Sequence, residues 1–276
     1  MSTFVAGGKN LIQDNCPLIM GILNYTPDSF SDGGANFTPE RALEKALKME
    51  KQGADIIDLG AASTRPGSEL VSAEEELLRL KEALGALECK LSVPLSVDTF
   101  RAPCAELALA KGAKIINDVS GSFNREIAAM CKESGAGYIV THNPCGADTE
   151  AQYEDSVITA IRAFFVSVME EACREGFPLA SLCLDPGIGF GKSREDDAEI
   201  LGNIRWLKMS PCALLTGASR KRITASGNEP EERDFATVAA HTAAIFDGTD
   251  IIRVHNVKAA ASAMKVTLEI RRYLNG

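Results

Sequence analysis

The sequence predicts an α/β protein of the (β/α)8 barrel type, and three observations carry that expectation. Short apolar runs alternate with longer amphipathic stretches along the chain. There are eight such runs, and they are continuous rather than broken by polar alternation, as suits parallel strands covered on both faces. A chain of 276 residues, 45% of them hydrophobic, can bury a core of that size. No Pro/Gly/Ser-rich stretch, charge block or shift of composition divides it, so one domain over residues 1–276 is expected, with its core from about residue 18 to about residue 275. An open doubly wound sheet is the competing architecture, but the GxGxxG turn usual after its first strand is absent.

The first run, LIMGILN (18–24), opens into the polar stretch YTPDSFSDGG. The helix after it is read from PERALEKALKMEKQG. Pro39 suits a first helical turn, Ala42, Leu43, Ala46, Leu47 and Met49 recur at helical spacing, and Gly53 marks the stop. The remaining runs are ADIIDLG (54–60), PLSVD (94–98), AKIIND (113–118), GYIVTH (137–142), SLCLD (181–185), ALLTG (213–217) and DIIRVH (250–255). Almost every run ends in a polar residue: Asn24, Asp58, Asp98, Asn117 with Asp118, His142, Asp185, and Arg253 with His255. Any one of these is readily explained as a cap on the following helix. As a set they are not, because polar groups inside a run would be half buried and would need partners. A barrel delivers all its strand ends to one face, where this fold builds its sites.

Composition excludes several classes. The opening MSTFVAGGKNLIQDNC has no apolar signal core and no Arg/Ser-rich amphipathic pattern, and no later stretch is long enough to span a bilayer, so a cytoplasmic protein without membrane attachment is expected. Eight cysteines are scattered without a CxxC or CxxxC pair, which argues against zinc and for reduced thiols. A net charge of −9 argues against a nucleic-acid surface, while leaving room for an anionic ligand inside one cleft.

Four stretches carry chemistry. LGAASTRPGSELVSAEEE offers Ser63, Thr64 and Arg65 in a loop stiffened by Pro66, a natural anion contact, although one loop arginine alone would be merely solvated. GASRKRI supplies Ser219, Arg220, Lys221 and Arg222 after the seventh run. RVHNV places Arg253 and His255 two residues apart, so that they project to the same side. Loops after the seventh and eighth strands of such barrels are a recurrent phosphate site. DPGIGFGKS lacks P-loop spacing, and its glycines at 187, 189 and 191 are read as shaping a turn around a flat ligand. His241, on an apolar helix, is read as a packed or interface histidine. One face then holds Asp98, Asp185, Asn117 and Lys221, suited to a flat heterocycle with N–H donors and a carbonyl, beside an anion set of Asn24, Thr64, Arg65, Arg253 and His255. Residue chemistry reaches group transfer between a heterocycle and a phosphate ester, and stops there.

MGILNYTPDSFSDGG, STRPGSE, SVDTF, IINDVSG, LDPGIGFGKS, GASRK and RVHNV, in this order and spacing, resemble the signatures of the dihydropteroate synthase family from about residue 18 to the end. The resemblance implies a (β/α)8 barrel, a homodimer, and a transferase that condenses 6-hydroxymethyl-7,8-dihydropterin diphosphate with p-aminobenzoate in folate biosynthesis. It implies pterin contacts at Asp98, Asn117, Asp185 and Lys221, and diphosphate with Mg²⁺ at Asn24, Thr64, Arg65, Arg253 and His255, Asn24 serving the metal. The p-aminobenzoate pocket, which sulfonamides also occupy in this family, falls near Phe30, Pro66, Phe190 and Ser219. Catalytic roles fall to Asn24, Arg65, Lys221, Arg253 and His255. Tyr25, Ala62, Asn143 in VTHNP, and Asn256 in RVHNV depart from the family's commoner residues, Asp being commoner at 256. Three other readings stay open. A pterin-dependent methyltransferase of the same superfamily should not need STRPG and SRK. A noncatalytic pterin-binding paralogue has no use for the anion set, and a sugar-phosphate barrel enzyme has little use for Asp98 with Asp185. The segments Thr26 to Phe37 and Ala61 to Ser68, poor in apolar anchors, are expected to order only around bound diphosphate.

Overall fold

All eight apolar runs become strands, and each keeps the place the sequence gives it. The computed structural model describes residues 2–14, 16–26, 38–62, 71–145, 149–225 and 232–274. A short antiparallel hairpin, β1 (Val5–Ala6) and β2 (Lys9–Asn10), comes first. The barrel units follow: β3 (Leu18–Asn24), α1 (Pro39–Lys51), β4 (Ile56–Gly60), α2 (Ala73–Leu87), β5 (Leu95–Asp98), α3 (Ala102–Ala110), β6 (Ile115–Asp118) and α4 (Arg125–Ser134). The second half comprises β7 (Gly137–Thr141), α5 (Val157–Arg174), β8 (Leu182–Asp185), α6 (Arg194–Gly202), α7 (Ile204–Leu207), β9 (Ala213–Thr216), α8 (Glu232–Phe246), β10 (Ile251–Val254) and α9 (Val257–Leu274). The barrel strands, β3 to β10, are parallel and closed, and β10 completes the ring on β3 with Ile251 opposite Leu18.

The helix signals work as local chemistry predicts. Thr38 caps α1 by accepting the Arg41 N–H, Pro39 opens the first turn, and Gly53 leaves the helix with φ of 100°. Ala42, Ala46 and Met49 are its buried positions, while Leu43 and Leu47 are only half-buried.

Side-chain parity divides each strand between two environments. Outward residues such as Ile19, Leu23, Ile57, Leu59, Ile116 and Leu184 pack under the helices. Inward residues Leu18, Met20, Ile56, Ile115, Ile139, Cys183, Ala213, Leu215 and Ile251 fill the lower barrel. Phe4, Ala6 and Ile12, from the segment ahead of the first apolar run, join that inner cluster and close its floor. Backbone bonds from Thr3 to Pro211 (2.8 Å) and from Gly7 to Gly135 (2.8 Å) tie the hairpin in place. All eight cysteines are free, four of them buried. Among the described residues no helix is long and apolar enough to cross a membrane.

Candidate active site

Two residues beyond the apolar floor, the same inward face turns polar. Ile56 is followed by Asp58, Ile115 by Asn117, Ile139 by Thr141, Cys183 by Asp185 and Ile251 by Arg253. A two-residue step keeps a side chain on one face of a strand, so each strand carries the site directly above its own core residue. Asp118, expected alongside Asn117, faces the other way. It accepts from the Tyr138 hydroxyl at 2.6 Å and the Ser120 N–H at 2.8 Å, and is a structural group.

Arg253 sits at the centre. Its Nε donates to Asp58 Oδ2 at 2.6 Å and a terminal nitrogen donates to Asp98 Oδ2 at 2.7 Å. Asn117 Nδ2 donates to the same Asp58 oxygen at 3.1 Å. Burial pushes the Asp98 carboxyl above the usual carboxylate range against the pull of Arg253. Gly60 and Gly217 border the mouth, where a Cβ would make only ordinary contacts. A Cβ on Gly60 would lie 3.7 Å from both Asn24 Oδ1 and Asp98 Cβ, and one on Gly217 would lie 3.8 Å from Arg253 Cβ.

The opposite wall is the 185–193 segment. Asp185 accepts from the Gly187 N–H at 2.7 Å, and burial raises its carboxyl while Lys221 lowers it. Gly187 has φ of 68°, and a Cβ there would stand 2.0 Å from the His142 carbonyl oxygen, so only glycine permits this turn. Lys221 donates to the Ile188 carbonyl and its ammonium lies 4.5 Å from the centroid of the Phe190 ring. Burial brings the Lys221 ammonium down to about 8 despite Asp185. Ser219 Oγ lies 2.9 Å from His255 Nδ1 and accepts the His255 N–H at 3.1 Å.

The structure thus brings Asn24, Asp98, Asn117, Asp185, Lys221, Arg253, His255, Ser219 and Phe190 to one end of the barrel. Thr64, Arg65, Phe30 and Pro66 lie outside the described residues, as does most of the two segments expected to order around diphosphate. Arg253, expected in the anion set, is paired here with Asp58 and Asp98. The three cations after the seventh barrel strand also part company. Arg220 pairs with Asp234 and Arg222 with Glu150, and only Lys221 turns to the mouth. His241 is packed, as expected, with Nε2 accepting the Ala218 N–H.

Two groups went unassigned in the sequence. Asp58, 0% exposed, orders both Arg253 and Asn117, and its place at a run's end was the available signal. Lys192, 1% exposed, donates to the carbonyls of His142 (3.0 Å) and Phe190 (2.9 Å), tying two strand-end loops together, and burial brings it down to about 7. Nothing in GFGKS distinguishes that buried lysine from a solvated one.

A family model described as pterin binding enzyme matches residues 20–255. A dihydropteroate synthase of Synechocystis is 42% identical over 90% of this chain and 88% of its own length, and one of Streptococcus pyogenes is 37% identical over 95% and 98%. This chain belongs to the dihydropteroate synthase family. The Yersinia pestis dihydropteroate synthase, solved with a sulfonamide drug complex, has the same fold with a TM-score of 0.89 at 34% identity, covering 98% of this chain and 99% of that one. The chain spans 30% of a Haloferax volcanii relative, a probable bifunctional folylpolyglutamate synthase/dihydropteroate synthase.

Two family departures acquire physical roles. Tyr25 is buried and donates its hydroxyl to Glu82 on α2 at 3.3 Å. Asn143 donates to the Val119 carbonyl at 2.8 Å, pinning the loop after β7 to the one after β6. Nothing in the structure explains Ala62.

Proposed function

We infer that the protein is a dihydropteroate synthase: it joins the amino nitrogen of p-aminobenzoate to the methylene carbon of 6-hydroxymethyl-7,8-dihydropterin diphosphate and releases diphosphate. The observation that carries this is the ring of Asp98, Asn117, Asp185 and Lys221 around Arg253, all on inward or mouth-facing positions. Carboxylates accept from the pterin's amino group and ring N–H, and the Lys221 ammonium donates to its carbonyl.

Charge then dictates the division of labour. As the carbon–oxygen bond breaks, its electron pair leaves with the diphosphate and positive charge spreads into the pterin ring. Buried carboxylates stabilise that ring. Arg253 and His255, with Thr64 and Arg65, which follow β4 in the chain, take the leaving group. The arylamine is already nucleophilic near neutral pH, so the site has only to orient it and accept one proton. Phe190 and Ser219, with Phe30 and Pro66, form its pocket and the sulfonamide site. Mg²⁺ belongs to the same reading, because it takes oxygen ligands and is held largely by substrate phosphates and water, and the Asn24 carboxamide would supply one protein oxygen. When bound it neutralises charge on the leaving diphosphate. A homodimer fits the apolar side chains left outside on the last two helices, Phe235 on α8 (84% exposed) and Val266, Ile270 and Tyr273 on one stripe of α9 (58%, 48% and 84%), and sedimentation equilibrium reads it directly.

Purified protein given pterin diphosphate, p-aminobenzoate and Mg²⁺ should form dihydropteroate and free diphosphate in equal amounts. EDTA should suppress both and a sulfonamide should compete with p-aminobenzoate. Pterin binding without diphosphate release would overturn the reading in favour of a noncatalytic paralogue.

A further inference from the structure

α8 presents three polar side chains in a row, at positions 234, 237 and 241, to the segment that follows β9. Spacings of three and four put them on one face of the helix. His241 Nε2 accepts the Ala218 N–H at 3.1 Å and Thr237 Oγ1 accepts the Arg220 N–H at 3.1 Å. Asp234 accepts from Arg220 through both oxygens, at 2.8 and 2.9 Å. All three acceptors are buried, with Asp234 8%, Thr237 5% and His241 2% exposed.

The segment needs that grip. Arg220 has φ of 58°, a left-handed conformation that a residue with a Cβ adopts only when its surroundings enforce it. The reversal of direction at Arg220 sends Ser219 toward His255 on one side and Lys221 toward Ile188 and Phe190 on the other. We propose that Asp234, Thr237 and His241 are positioning residues, holding Arg220 in its left-handed turn so that Ser219 and Lys221 reach the substrates. This rests on the function proposed above and assigns part of it to a helix outside the barrel mouth.

The same row accounts for Asn256. Its Nδ2 donates to Asp234 Oδ2 at 2.9 Å, while its Oδ1 accepts the Ala259 N–H at 3.1 Å and caps α9. An aspartate at 256 would cap equally well but would set two carboxylates against each other at that distance. Residues 234 and 256 therefore hold one negative charge between them, carried in this chain by Asp234.

The test is a set of variants of the full chain, D234N, N256D, D234N/N256D and T237V, followed by steady-state kinetics and by amide hydrogen exchange at Ala218 and Arg220. Losing the charged clasp should lower kcat/KM of D234N by about 10- to 100-fold, the scale on which small misplacements act, with faster exchange at both amides. N256D should lose a comparable factor, and D234N/N256D should recover at least part of the loss instead of multiplying the two. T237V, which keeps shape and charge, should speed exchange at Arg220 and raise KM without lowering Tm in proportion. D234N or T237V with wild-type kinetics per folded molecule would overturn the proposal, as would a double variant whose losses simply multiply. A wild-type protein that makes no dihydropteroate would instead overturn the assigned reaction, and the exchange data would still read the grip of α8.

Discussion

At the lower end of the barrel, Leu18, Met20, Ile56, Ile115, Ile139, Cys183 and Ile251 close around Phe4, whereas one inward step higher on β4, β6, β7, β8 and β10 stand Asp58, Asn117, Thr141, Asp185 and Arg253. The two levels share backbone, strand pairing and parity, and differ only in side chains. Buried polar atoms without a protein partner among the described residues include Asp58 Oδ1, Ser96 Oγ, Asn117 Oδ1 and Thr141 Oγ1, all on inward positions of the upper level. Native interiors ordinarily satisfy such atoms, and clusters of exceptions mark places shaped for something other than stability. The lower level therefore stabilises the barrel, and the upper level draws on that stability to hold charges that would not stay together otherwise.

The sharpest way to break this comparison is at the floor. Phe4 is fully buried, and a Cβ on Gly137 would lie 2.7 Å from its ring, so hairpin and strand are in direct contact. Phe4→Ala should cost about 3–5 kcal/mol in denaturant unfolding, the range for truncating a core phenylalanine. Measured where the variant is still folded, its pterin affinity should equal wild type. A loss of stability below about 1 kcal/mol would show that the hairpin does not seal the barrel, and a changed affinity would show that the two levels are coupled.

The next effect is about half as large and opposite in character. Asp185→Asn keeps an oxygen to accept the Gly187 N–H, but replaces the other acceptor by a donor facing the pterin's own donors. Pterin binding should weaken by about 2 kcal/mol or more, measured by calorimetry. Stability should move the other way. The folded carboxyl lies above its usual value through burial, so the native state binds more protons than the unfolded chain between the two values, and stability falls as pH rises through that window. At neutral pH the wild type carries this cost and the amide does not, so the variant should unfold no more easily than wild type. Simultaneous loss of stability and affinity would place Asp185 among the structural groups.

The two levels also differ in how far the sequence exposes them. Strand ends at Asn24, Asp98, Asn117 and Asp185 are legible because an apolar run and its polar terminus are neighbours in the chain. The contacts that organise them are not. Arg253 meets Asp58 and Asp98 across 195 and 155 residues, and only closure of β10 on β3 makes them neighbours. Parity explains the error over Asp118, since consecutive polar residues on a strand must face opposite ways and periodicity alone does not say which way is in. The floor was missed for a related reason. Phe4 and Ala6 belong to the three-residue stretch FVA and Ile12 to the pair LI, both shorter than any barrel-strand run and set among polar residues and glycines, and they are buried because they close the barrel. The grip of α8 on Arg220 spans only 17 and 14 residues and is hidden for another reason, being carried by residues that resemble an ordinary helix surface.

The smallest effect sharpens the comparison further, because it gives stability and binding opposite slopes from one side chain. Burial first of all, and Arg253 after it, hold the Lys221 ammonium down at about 8, against the raising influence of Asp185. In the unfolded chain a lysine titrates near 10.4, so from about pH 8 upward the unfolded state binds the extra proton and the folded state does not. Lys221 therefore adds stability as pH rises across that window. Binding runs the other way: below about 8 an ammonium donates to the pterin carbonyl, and above it a neutral amine makes the weaker bond. Pterin affinity should fall about tenfold as pH passes through 8, the difference between a charge-assisted and a neutral hydrogen bond. The acid limb belongs to Asp98 and Asp185, whose carboxyls burial holds above the usual range. Lys192 also titrates in this region, at about 7, but it faces the carbonyls of His142 and Phe190 and should affect the loop rather than the ligand. Affinity measured from pH 6 to pH 10 in the wild type and in Lys221→Met separates these contributions. The alkaline fall should vanish in the variant, which should also lose part of the rise in stability above pH 8. An alkaline limb that survives the substitution would move the titrating group elsewhere and leave Lys221 as a packing residue over Phe190.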